Sequence, residues 1–463
     1  MKLTFLRLLT PLLLLTMAPS LSAQVLPPST RAVDGPAAKP IDQELAKVSD
    51  PEAIEQAAAR YAAAGNVDMA GRYYRRLSEL RPHLGRYKYE MAAAFGAQDF
   101  KTLSYNALLE LQSQGYGYDL SRDRRFAPVH NTEAWEYIVK GLDLNRQPFG
   151  EGKVFASLPK EDLLLESVAW DASRNSALVG SAREGAVYIV AADGTLKPLL
   201  QADEANGMWS VFDLAVDAKR GVLWVASTAV PHFKNYDAEK DLGRAGIFKF
   251  ELKTGKFLKS YLSPVALGQS FFMSTLALSP DGTVFAADGV NDAVYQVRDD
   301  RFQRVFHVPV LGSIRGMAVS PDSKVLYFAD HERGLFGYEL ATGKPFEVLG
   351  GPNLALGGIE GLQYWRNQLV IVQSGMIPAR VMRLKLSADG KAIVGAQPLS
   401  ANQPIVAVPT LSTLNGDQLL FIGNSQKNKY DRFGLPKNRN ELEGTRLIQL
   451  DLNFGENADA KPE

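Results

Sequence analysis

Glu166, Arg315 and Glu360 are the charged residues of this 463-residue chain best placed for chemistry, because each opens the same short apolar run of a repeated segment. If the copies of that segment share one axis, two carboxylates and one guanidinium meet in a narrow polar well. Such a well either holds a ligand or holds charges that pair with one another, since a buried charge is costly without a partner. The remaining copies put Phe212, Ser274 and Thr410 at the matching position. A second position, where the next run ends, is polar in all six copies: Ser181, Ser227, Asp288, Asp330, Gln373 and Asn424. Ligand contact and turn formation both account for it, as Asp, Asn and Ser are favoured where a strand stops. His331 directly follows Asp330 and is the candidate base, which makes Glu166, Glu360 and His331 the catalytic candidates.

The segment recurs as SVAWDASRNSALVGS, DLAVDAKRGVLWVAS, LALSPDGTVFAAD, MAVSPDSKVLYFAD, GLQYWRNQLVIVQS and LSTLNGDQLLFIGNS. Anchored on Ala169, Ala215, Ala277, Ala318, Gln363 and Thr413, the copies stand 46, 62, 41, 45 and 50 residues apart. Two apolar runs around a turn of Asp, Asn, Gly or Ser form a hairpin signal. A period of this size marks a propeller, in which no blade buries both of its faces alone. A third run follows each hairpin and a fourth follows five of them. The sixth copy lacks an outer strand, and KVFASLP at 153–159 is a spare one. The predicted class is therefore multidomain, helical then all-β, with a six-bladed β-propeller over 152–455 closed by that N-terminal strand.

Two long connections, TAVPHFKNYDAEKDLGRAG and QKNKYDRFGLPKNRNELEG, overhang the face where the polar positions gather. Their aromatic and charged residues, His232, Phe233 and Tyr236 in one and Tyr430, Arg432 and Phe433 in the other, make either a lid or a solvated pair of loops. The ligand-binding candidates are Glu166, Arg315, Glu360, Asp288, Asp330, Asn424, His232 and Tyr236.

Lys+Arg and Asp+Glu both number 51, so no net field favours nucleic acid or an anionic membrane. Residues 1–23 read as a cleavable signal peptide: Lys2 and Arg7, an apolar run from Leu8 to Met17, then Leu21-Ser22-Ala23. That implies a periplasmic or secreted protein. No other stretch is long enough to span a bilayer. With no cysteine, neither disulfides nor thiol lipidation contribute. Residues 24–41 read as a flexible linker and 456–463 as a disordered tail, with a helical domain over 42–145. Its helical runs fall at about 51–64, 67–80, 86–97 and 99–114, followed by a capping helix seated on Trp135 and Phe126.

The helical runs resemble a pair of tetratricopeptide repeats: Ala58, Tyr61, Ala70, Tyr74 and Pro82 in the first, Ala92, Phe95, Ser104 and Leu108 in the second. The resemblance implies a concave peptide-binding face; packing onto the propeller is the alternative. The repeats LALSPDG and MAVSPDS, the DLAVD opening and the Glu of blade one resemble propellers of the regucalcin/gluconolactonase (SMP-30) or NHL type. That likeness implies one divalent cation (Ca, Zn or Mg) held by Glu166 and by acidic or amide residues of later blades, polarising a lactone carbonyl or activating water. Phe212, Ser274 and Arg315 occupy the other positions, and Arg315 repels a cation. Glu360, Asp288 and Asp330 would have to turn inward to supply the missing oxygens. The GxSxG, HExxH and phosphate-loop signatures are absent.

Two functions follow. One is an exported, non-catalytic binding or scaffolding protein whose partner is an envelope or secreted protein or a small ligand. The alternative is a metal-dependent lactonase or esterase-like hydrolase with the metal at Glu166 and assistance from Glu360, Asp288 or His331.

Overall fold

The computed structural model describes residues 35–264, 268–308, 311 and 313–456. The expected leader at 1–23, the first part of the expected linker at 24–41 and all but Glu456 of the expected tail at 456–463 lie outside them.

Six antiparallel sheets form the ring, with innermost strands Leu165–Asp171, Ser210–Asp217, Met273–Leu278, Ile314–Val319, Ile359–Trp365 and Ser412–Asn415. Each innermost strand lies beside that of the next blade, and Ser412–Asn415 returns to Leu165–Asp171. The molecule is a six-bladed β-propeller. In blade six the strands Ser412–Asn415, Gln418–Ile422 and Arg446–Asp451 are joined by Lys153–Ser157, which pairs antiparallel with Arg446–Asp451. Blade five carries a fifth, two-residue strand, Phe149–Gly150, on its outer edge.

The period of two along each strand builds the core between blades rather than within them. In Ser176–Ser181 of blade one, Leu178 points to blade two and packs with Leu223, Val225 and Phe248. Its neighbours Ala177 and Val179 point the other way, to Leu420, Ile422 and Leu447 of blade six. The same alternation fills the remaining four interfaces, so every blade is buried on both faces by its neighbours. A lone blade would leave both faces wet, which is why the repeat cannot fold alone.

Ahead of the ring stand α1 (Pro40–Lys47), α2 (Pro51–Ala63), α3 (Val67–Leu80), α4 (Gly85–Ala97), α5 (Lys101–Ser113) and α6 (Glu133–Asn145). α1 corrects the expectation that the linker runs to 41. Its first residue is Pro40, whose fixed φ suits a helix start, and the Asp42 carboxylate accepts the Lys39 N–H at 2.9 Å. Asp50 and Asn66 cap α2 and α3 by accepting from Ala53 and Met69 N–H. The starts of α2 and α4, Pro51 and Gly85, are 34 residues apart, as are those of α3 and α5, Val67 and Lys101. Ala58, Ala70, Ala92, Phe95, Ser104 and Leu108 are all buried. α6 rests Trp135 on Phe126, their ring centroids 5.5 Å apart.

These helices are docked on blades four and five. Arg380 links the two parts: Nη1 donates to Gln114 O at 2.9 Å, Nη2 to Ala355 O at 3.2 Å and Nε to Gln373 Oε1 at 2.7 Å. Gly117 N–H donates to Ile377 O at 2.7 Å, and His83 Nδ1 accepts from Leu356 N–H at 3.3 Å. Ala355 and Met376 of the propeller complete the core of α4 to α6. No helix among the described residues is long and apolar enough to cross a membrane.

Candidate functional site

A β-bulge near the start of the innermost strand is the device that builds the site. In the first five blades the ladder register skips one residue there: between Leu165 and Ser167, Val211 and Asp213, Met273 and Thr275, Ile314 and Gly316, and Ile359 and Gly361. The skipped residues are Glu166, Phe212, Ser274, Arg315 and Glu360. A bulge leaves its extra residue out of the pairing and re-aims its side chain. In blade six Thr410 donates its N–H to Ile422 O while Ile422 N–H returns to Leu411 O, ahead of the regular strand. All six residues line one cavity of about 250 Å³ at the channel mouth. Leu164, Val230, His232, Phe272, Leu411 and Lys427 complete its wall.

The two carboxyl groups sit in opposite surroundings. Burial pushes Glu166 up to about 7, against a hydrogen bond from Ser425 Oγ (2.7 Å to Oε1), the Lys427 charge and the Gln426 N–H; Glu360 adds to the rise. Burial also raises Glu360, but His331, Lys427 and Arg315 outweigh it and hold that carboxyl at about 2. Lys427 Nζ lies 3.7 Å from Glu360 Oε2 and His331 Nδ1 3.3 Å from Oε1. Among the described residues His331 Nδ1 has no aligned hydrogen-bond partner, so it stands close to Glu360 without a well-formed hydrogen bond. Near neutral pH one carboxyl therefore exchanges its proton while the other stays ionised. Environments that separate two titrating groups in this way are how acid and base roles are divided at an active site.

Of the two readings of the well, mutual pairing is not seen at Arg315, which forms no ion pair with either glutamate. Its Nε donates to Ser313 Oγ at 2.8 Å, and it makes no ion pair among the described residues. Glu360 takes Lys427 instead. That lysine, with Ser425, comes from the blade-six connection, where Gln426 is pinned by reciprocal 2.6 Å hydrogen bonds with the Glu443 backbone.

The second ring of polar residues is structural. Asp288 accepts from Phe272, Val290 and Asn291 N–H, and Asp330 from Ser313, Glu332 and Arg333 N–H. Asn424 donates to Gly444 O and accepts from Arg446 N–H. Ser181, Ser227 and Gln373 bond the backbone entering an innermost strand in the same manner. Buried backbone groups require partners, and these side chains supply them. Asp288, Asp330 and Asn424 therefore leave the ligand-binding set. Phe233 is buried in the blade-two core and Tyr236 packs against its edge, so neither reaches the cavity.

The two long connections do meet over the mouth. Gly434 lies against His232 and Pro231 so closely that a Cβ there would fall 2.4 Å from the His232 Cα. The His232 and Tyr430 rings stand 6.3 Å apart, and Tyr430 Oη donates to Asp162 at 2.8 Å. Burial and then Arg183 keep His232 below its usual range, so the ring over the cavity is neutral at physiological pH. Phe433, at the tip, is 58% exposed.

The residues present do not fit a divalent cation. Glu166 accepts from Ser425 Oγ and Glu360 is ion-paired with Lys427, Arg315 and Lys427 place positive charge in the same cavity, and most of the remaining wall is apolar. A hard cation takes six or so oxygen ligands, and among the described residues no group of three His, Cys, Asp or Glu is arranged to bind one. Glu166 stands in this cavity as a hydrogen-bonded carboxyl.

No protein-family model matches the sequence, and none of the curated proteins is similar to it. Among solved structures, the PQQ-bound form of an aldose sugar dehydrogenase from Streptomyces coelicolor aligns over 66% of this chain and 99% of its own at 14% identity, TM-score 0.42. A luciferin-regenerating enzyme aligns over 66% and 95% at 12% identity, TM-score 0.44. A gluconolactonase from Xanthomonas campestris aligns over 67% and 92% at 16% identity, TM-score 0.41. Likenesses of this degree carry no argument about activity.

Proposed function

We propose that the channel-mouth cavity is the active site of a metal-independent hydrolase of small esters or lactones. The observation that carries this reading is the pair of carboxyls in one cavity with separated proton affinities, about 7 at Glu166 and about 2 at Glu360. A base of that strength at neutral pH takes a proton from water as the water oxygen attacks the carbonyl carbon, then returns it to the alkoxide when the acyl–oxygen bond breaks. Negative charge growing on the carbonyl oxygen faces the Lys427 cation across a largely apolar wall, where such attraction is strong. Glu360 stays ionised and fixes Lys427.

Hydrolysis of a lactone and ester panel by chelator-treated protein tests the reading. Turnover persists, kcat/KM rises with pH through about 7 as Glu166 ionises, and Glu166→Gln lowers kcat by about 10²- to 10⁴-fold with the fold intact. A chelator-sensitive rate, or an unaffected E166Q variant, overturns it. Saturable binding without turnover returns the cavity to the role of a non-catalytic binding site.

The export signal and the 34-residue helical period belong to the same proposal: a periplasmic or secreted protein whose tetratricopeptide-like helices brace the propeller. The Arg380 network and the shared Ala355–Met376 core support bracing over capture of an envelope partner.

A further inference from the structure

Arg315 enters the cavity wall with its Nε committed to Ser313 Oγ and its terminal nitrogens without an acceptor among the described residues. A half-buried guanidinium is normally answered by a carboxylate, because desolvating the charge is unfavourable otherwise. Here Glu360 is already engaged by Lys427 and His331, and Glu166 by Ser425. Thr410, only 3% exposed, also lines the cavity, and its buried Oγ1 has no hydrogen-bond partner among the described residues. Opposite in character, Phe212 and Phe272 form a tilted pair with centroids 4.7 Å apart, flanked by Leu164, Val230 and Leu411. A fork of free N–H donors and an aromatic wall describe a ligand with a planar anionic end and an apolar body. The volume of about 250 Å³ limits it to a small molecule, below the usual range for drug-sized ligands.

We propose that this cavity selects small organic carboxylates, with Arg315 as the residue that reads the carboxylate and the Phe212–Phe272 pair as the seat of an aromatic or alicyclic ring. This rests on the hydrolase reading for its reaction but not for its binding: Arg315 then anchors a permanent carboxylate of the substrate, and Lys427 is left to face the ester or lactone carbonyl.

Calorimetric titration of the full chain with phenylacetate and with its neutral isostere phenylacetamide tests it. Phenylacetate binds about tenfold or more tightly than the amide, because charge-assisted bidentate bonds are made to the acid alone. Arg315→Gln brings the two affinities together by weakening only the acid, and Arg315→Lys restores part of the preference. Equal affinities for acid and amide in the unmodified protein, or no binding of either, overturn the proposal without recourse to a variant. So does an acid preference unchanged in R315Q. Preferred binding of the acid by a protein that turns over no ester or lactone refutes the hydrolase reading alone. Turnover of neutral lactones with no preference for acids refutes this inference alone.

Discussion

Asp213 is a buried carboxyl on the channel side of blade two, and replacing it with Asn should remove a pH dependence from the stability of the whole ring. Its oxygens accept from Leu214 N–H at 2.8 Å, Leu276 N–H at 2.7 Å and Thr275 Oγ1 at 3.1 Å, tying blade two to blade three. Burial outweighs those bonds and pushes the carboxyl up to about 7 from 3.8. Between those values the folded protein holds a proton that the unfolded chain has lost. The stability this group contributes is therefore complete below 3.8 and declines as pH rises to about 7. From pH 5 to pH 8 the loss spans about two pH units, or about 2.7 kcal/mol at 1.36 kcal/mol per unit. The substitution Asp213→Asn abolishes that slope. It also sets an amide N–H against a backbone N–H, a cost of about 1–3 kcal/mol that does not vary with pH. Urea unfolding of both proteins at the two pH values isolates the titrating part as a double difference, in which every other ionisable group cancels. A change of about 2.7 kcal/mol in favour of D213N between pH 5 and 8 is expected. Parallel curves, within about 0.5 kcal/mol, would refute the reasoning about burial in the channel.

Gly180→Ala places a methyl 2.2 Å from Ser167 Oγ and 2.4 Å from Val211 Cγ1, both fully buried, and should cost about 1–3 kcal/mol, read as a lower Tm. Arg380→Met removes the donors to Gln114 O, Ala355 O and Gln373 Oε1, and should raise hydrogen exchange at 112–118 and 353–358 while leaving the blade cores protected. Asn424→Ala strands Gly444 O and Arg446 N–H and should lower stability by about 2 kcal/mol, with phenylacetate affinity unchanged.

The blades were legible because each repeat writes its period-two pattern and its turn residues in a few consecutive positions. The innermost position was legible for the same reason: Glu166, Phe212, Ser274, Arg315, Glu360 and Thr410 all reach the cavity. What turns the first five inward, the bulge, has no residue signature and emerges only from the ladder register. Lys427 and Ser425 escaped notice because they lie in a long connection whose path depends on the Gln426–Glu443 bonds. Asp288, Asp330 and Asn424 misled because a turn-holding carboxylate or amide and a ligand-binding one are the same residue types, and only their hydrogen-bond partners distinguish them. α1 was hidden by a Pro- and Ala-rich approach whose last proline starts a helix.

Selective ¹³C labelling of the glutamate carboxyl groups, followed by an NMR titration from about pH 2 to pH 9, tests most directly whether the ring holds one carboxyl ready to exchange its proton beside another that stays charged. One signal should titrate near pH 7 and vanish in E166Q, and one should remain ionised to about pH 2. Glutamates that all titrate between about pH 4 and 5 would contradict it.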